Sequence, residues 1–147
     1  IARKKDFNFN KAISDKSKKV KVFFRKKINM LNTIVKKNAI TNFQKGFSSA
    51  YIKSISLNSI LKSLNLKNEK IDFLNLDVEG NELNVLKSFN FKKYRPELIC
   101  VEIHNQKLTK KIKDYYKKTR LYKLLIKQSY KLIWKKEFSF IFKLKSE

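Results

Sequence analysis

Apolar and polar residues alternate along Val20–Phe24, and Phe9–Ser14 before it reads as a short strand, with the polar turn Asp15–Lys18 between them. Alternation with period two predicts half-buried strands, and the short turn predicts that they form a hairpin. From Arg25 to Ser49 no period is visible, so a long irregular connection with a single helical turn is expected there. Tyr51–Ile55 reads as a strand. Ser56 follows as a helix N-cap, with Leu57, Ile60, Leu61 and Leu64 along one face and an end near Asn65.

The second half alternates strands with helices. Ile71–Leu76 reads as a strand running into Asp77, and residues 81–89 read as a helix with Leu83 and Leu86 turned inward. Arg95-Pro96 breaks the pattern. Leu98–Ile103 is nearly uninterrupted apolar sequence, as in a central strand covered on both faces. Leu108, Ile112, Tyr115, Tyr116, Thr119, Tyr122 and Ile126 recur at helical spacing, predicting one amphipathic helix or two short ones. Tyr130, Leu132 and Trp134, then Phe138, Phe140, Phe142 and Leu144, alternate about Lys135-Lys136-Glu137 and predict a closing antiparallel hairpin. The expected architecture is an α/β sandwich with a mainly parallel sheet and an antiparallel edge.

A length of 147 residues with 42% hydrophobic residues suits one domain with a core of its own. The formal charge of +24 favours a polyanionic partner in principle. Only Arg3, Arg25, Arg95 and Arg120 among the 36 basic residues are arginine, the side chain suited to bidentate phosphate or base recognition. The lysines are better read as solvated faces, so no specific nucleic-acid partner is expected, and a basic, non-enzymatic nucleic-acid-binding protein is the alternative. Cys100 stands alone in an apolar strand, which fits a small buried side chain and a reducing cytoplasm. No run is long and apolar enough for a transmembrane segment, and no signal-peptide pattern opens the chain. A start at Ile1 with the single methionine at Met30 reads as part of a longer protein.

Charge is not evenly spread. Residues 69–102 hold seven acids against five bases, whereas residues 1–68 hold two against seventeen and residues 103–147 three against fourteen. The acidic centre is Asp77-Val78-Glu79-Gly80, placed where a strand gives way to a helix, the position at which open α/β sheets bind ligands. Asp77 and Glu79 are therefore the candidate catalytic carboxylates. The structural alternative is that Asp77 caps the following helix while Glu79 is solvated near its positive end. Gly80 is expected at positive φ. Glu102, His104 and Asn105 end the next strand on the same edge and are candidates to line an acceptor pocket, although a lone histidine after a strand is commonly an ordinary loop residue.

The segment Ile71–Lys87, containing Asp77-Val78-Glu79-Gly80-Asn81-Glu82-Leu83, followed by Tyr94-Arg95-Pro96-Glu97-Leu98-Ile99-Cys100-Val101-Glu102-Ile103, resembles the central signature of the FkbM family of S-adenosylmethionine-dependent methyltransferases. Asn10–Asp15 is similar to that family's segment ending its third strand, and Ile55–Leu61 to the segment before the acidic motif. Asn75 stands where the family usually has lysine, and Ser88 where glycine is common. The resemblance implies a three-layer Rossmann-like methyltransferase sandwich with S-adenosylmethionine as cofactor. It also implies Ala12, Ile13 and Ser14 near the adenine, and a hydroxylated small molecule or glycan, such as a sugar, as acceptor. A glycine-rich first turn and a ribose-binding acid, which the resemblance also implies, are not found: the only glycines are Gly46 and Gly80. Residues 1–147 are thus expected to be the C-terminal portion of the domain, with the N-terminal strands missing.

Overall fold

The structure, a computed structural model, describes residues 6–25, 32–44, 46–65, 70–103 and 113–146. In chain order the elements are β1 (Ala12–Ser14), β2 (Lys19–Phe24), α1 (Lys36–Asn42), β3 (Ser48–Ser56), α2 (Leu57–Ser63), β4 (Phe73–Leu76), α3 (Glu82–Ser88) and β5 (Leu98–Glu102). A 3-10 turn at Tyr115–Lys118, α4 (Arg120–Lys127), β6 (Tyr130–Lys136) and β7 (Ser139–Leu144) follow. The strands form a three-stranded sheet of order β1-β3-β2 and a four-stranded sheet of order β4-β5-β7-β6.

The expected hairpin between β1 and β2 does not form. β3 lies between them and serves each with a different stretch: residues 48–53 pair antiparallel with β2, and residues 54–56 pair parallel with β1. Ser54 is the joint. Its buried hydroxyl donates to Lys16 O or Lys18 O (2.9 and 3.0 Å) and accepts from Lys18 N (3.3 Å), so the turn that looked like a hairpin loop is fastened to the intervening strand. Between Arg25 and Ser49 the expected single helical turn is α1, two turns long, whose Ala39 packs with Phe23 and Phe43 in a small core.

Ser56 caps α2 as expected: its backbone is extended and its hydroxyl accepts from Ser59 N at 3.1 Å. Thr119 does the same for α4, accepting from Tyr122 N at 3.2 Å. In the larger sheet, Ile99, Val101, Phe140 and Phe142 are fully buried and share one core with Val85 and Leu86 of α3 and Leu121 and Leu125 of α4. Tyr116 and Tyr122 join it through ring contacts with Phe140 (5.1 Å) and Phe142 (5.8 Å). These aromatic rings are core and not a stacking platform for bases.

Two expectations about this sheet need correction. Strand β5 is central, but only its Ile99 and Val101 side is fully buried; Leu98, Cys100 and Glu102 are half-buried, so the second face is not closed over. Of the five strand pairings among the described residues, two are parallel and three antiparallel, so the described strands do not make a mainly parallel sheet. The closing hairpin forms as expected but contains a register shift between Leu132 and Trp134. A bulge inserts one residue and reverses the alternation. Leu132 faces with buried Phe142, whereas Trp134 pairs with Ile141 on the open face and is 45% exposed.

Candidate functional site

Beyond the end of β4 the chain turns sharply through two left-handed residues, Glu79 (φ 51°) and Gly80 (φ 96°). A side chain at Gly80 is disfavoured on two counts. Its φ disfavours any Cβ, and a Cβ there would collide with the amide of Asn38. Asn81, not Asp77, stands at the N-cap position of α3. Glu82, only 4% exposed, helps close the turn, accepting from Val78 N (3.2 Å) and Gly80 N (3.0 Å) with one carboxylate oxygen. Asn81 occupies the N-cap position without capping. Its amide donates to Ile13 O (3.2 Å) and its oxygen accepts from Asn84 (3.0 Å).

The acidic turn is also held from α1. Glu79 O accepts from Thr33 Oγ1 (2.8 Å) and Asn38 Nδ2 (2.7 Å), so both lone pairs of one carbonyl are used. Thr33 Oγ1 accepts in turn from Val35 N at 3.0 Å. Three distant segments, the end of β1, the start of α1 and the turn after β4, therefore converge on residues 77–82.

That convergence borders an open pocket of about 720 Å³, within the size of small-molecule sites. Ala12 and Ile13 line it together with Asp77 and Glu79, so four residues singled out from the sequence border one pocket. Ser14 does not line it; it is buried and donates its hydroxyl to Asp15 at 2.8 Å. Glu102 lies one residue beyond the pair Leu76↔Val101, which puts it beside Asp77 at the sheet edge, but it faces a separate hollow with Gly80, Glu82, Thr119 and Arg120. Burial, then the nearby carboxylates of Glu102 and Asp77, push the Cys100 thiol up, away from the thiolate a nucleophile needs. His104 and Asn105 lie outside the described residues.

Glu82, Asn81, Thr33 and Asn38 were not anticipated. An acid at the first helical position is a readable signal for Glu82. Nothing marks Thr33 and Asn38, which belong to a segment without periodicity. Among the described residues no group of three or more His, Cys, Asp or Glu is placed to hold a metal ion, and no helix is long and apolar enough to cross a membrane.

No curated protein and no solved structure matches the chain. A family model described as the methyltransferase FkbM domain matches residues 2–132, most of the chain. With the acidic turn, its glycine and the following strand all inside the matched span, the chain belongs to the FkbM methyltransferase family.

Proposed function

We propose that this chain supplies the acidic half of an S-adenosylmethionine-dependent O-methyltransferase site acting on a hydroxylated small molecule or glycan. The observation that carries the reading is that Asp77 and Glu79 line the same pocket as Ala12 and Ile13. The residues fit the cofactor: Ala12 and Ile13 offer an apolar surface for a flat base, and two carboxylates offer a favourable field for a sulfonium. When bound, that group supplies an electrophilic methyl. Asp77 orients the acceptor hydroxyl and takes its proton, and Glu79 contributes negative charge beside it. The backbone bonds to Glu79 O fix where that charge sits.

The chain is read as the C-terminal portion of a three-layer Rossmann-like domain in the cytoplasm, with an incomplete cofactor site. The half-exposed Phe73 and Trp134 and the unpaired edge of β4 in the described sheet support a further layer beyond them. Residues 1–147 alone should then bind S-adenosylmethionine weakly, and submillimolar stoichiometric binding in calorimetry would refute this part.

The test of the chemistry is Asp77→Asn in the full-length protein. Turnover should fall by roughly 10²-fold or more while stability holds, because Asn keeps the shape of Asp and Glu82 still accepts from the turn's Val78 and Gly80 amides. Wild-type turnover would remove Asp77 from the mechanism and pass the test to Glu79→Gln.

A further inference from the structure

Asn81 stands at the N-cap of α3 and does not do what that position favours. An N-cap asparagine ordinarily accepts from an amide of the first helical turn, whereas this one, 4% exposed, makes no such bond and reaches out of the helix to β1. Its orientation is fixed by the partners. Ile13 O can only accept, so the atom facing it at 3.2 Å is Nδ2, and Oδ1 is left to accept from Asn84 Nδ2 at 3.0 Å. A buried amide that forgoes a local bond for a distant one fastens two segments together.

Both of those segments border the pocket. One is Ala12 and Ile13, which the cofactor reading sets against the adenine; the other is Asp77, Val78 and Glu79, just before Asn81. Ile13 and Val78 pack against the main core, which brings the segments near each other without fixing their spacing, because apolar contact is non-directional. Thr33 and Asn38 hold the turn by direction, but from α1. The Asn81 amide supplies a directional bond to β1 itself.

Resting on the methyltransferase reading, we propose that Asn81 is a positioning residue, which sets the separation between the adenine side of the pocket and the acidic turn. A ligand that touches one side alone does not sense that separation. One that places its base against Ala12 and Ile13 and its sulfur centre beside the carboxylates does, since a misplacement of about 1 Å at a reacting centre is costly.

In the full-length protein, S-adenosylmethionine, which on this reading spans the pocket, is compared with adenosine, which does not, adenosine being measured by its displacement of labelled S-adenosylmethionine. Asn81→Ser and Asn81→Thr offer α3 a side-chain cap but are too short to reach Ile13 O. Both variants should melt near the wild type, bind adenosine within about twofold of it, and bind S-adenosylmethionine about tenfold more weakly. Asn58→Ala is the matched control, because Asn58 bridges segments in the same way at the other end of α3, donating to Ser88 O and accepting from Asn90 N. It should lower the melting temperature and leave both affinities unchanged. The proposal is overturned if the Asn81 variants keep wild-type affinity for S-adenosylmethionine, if they weaken both ligands alike, or if adenosine does not displace S-adenosylmethionine from the wild type. It is equally overturned if Asn58→Ala reproduces the split. A wild-type protein that binds no S-adenosylmethionine would sink the methyltransferase reading and the proposal with it, whereas wild-type binding without a split in the variants sinks the proposal alone.

Discussion

The two sheets are held together by different means. The four-stranded sheet rests on one continuous core of buried aromatic and aliphatic side chains from β5, β7, α3 and α4. Among the described residues the three-stranded sheet buries Phe23, Ala39 and Phe43 as a cluster of its own and is tied by side-chain bonds from Ser54, Thr33 and Asn38. Apolar burial is stabilising wherever it occurs, whereas a hydrogen bond contributes through its geometry. The first sheet is therefore the scaffold, and the second is a positioning device tied to the acidic turn.

The sharpest contrast should come from truncating one ring in each. Phe142→Ala should cost about 3–5 kcal/mol in urea unfolding, and Phe43→Ala roughly half as much, because its small cluster can collapse around the gap. Equal losses would break the distinction between scaffold and positioning device. Gly80→Val comes next. It forces a β-branched residue into a left-handed turn already crowded by Asn38 and should destabilise by about 3 kcal/mol.

Thr33→Val keeps the shape but deletes the bonds to Glu79 O and Val35 N. About 1–2 kcal/mol should be lost in urea unfolding, with a larger proportional loss of activity than of stability. A drop in stability alone would make Thr33 structural. The smallest effect is expected where the two regions resemble each other. Lys18, with help from Ser14, holds the Asp15 carboxyl down at about 2, and Lys117, then Tyr116 and Lys135, hold Asp114 at about 2. Both folded values lie below the ordinary 3.8, so this stabilisation is present above pH 3.8 and is lost as pH falls towards 2. Both groups are solvated, so screening leaves little of this stabilisation and Asp15→Asn and Asp114→Asn should lower the melting temperature at neutral pH only slightly. Carboxyl chemical shifts should show midpoints below 3.8 in each; ordinary midpoints would show that these ion pairs do not persist in solution.

What the sequence made legible follows the same division. Periods of two and 3.6 residues report burial, so β5, β7, α3 and the cap at Ser56 could be read directly. The acidic turn was visible because its acids interrupt a basic chain. The false hairpin arose because alternation reveals a strand but not its partner, and β3 competes successfully for both N-terminal strands. The supports from Thr33 and Asn38 were hidden for a physical reason. A side-chain donor to a carbonyl some forty residues away leaves no periodic trace.

The shared strand also has a consequence in time. Ala12 pairs with Ser54 and Lys19 with Lys53, so β1 has no strand partner until the chain has been made almost to the start of α2, and β2 has only the bridge from Phe23 to Thr33 until Ser48 is made. During synthesis β1 must wait for partners that emerge about forty residues later and β2 for β3, whose Ser48 follows Phe24 by more than twenty, the kind of long-range closure that slows folding. The strand residues that line the pocket are thus brought together late, when Ser48–Ser56 threads between β1 and β2.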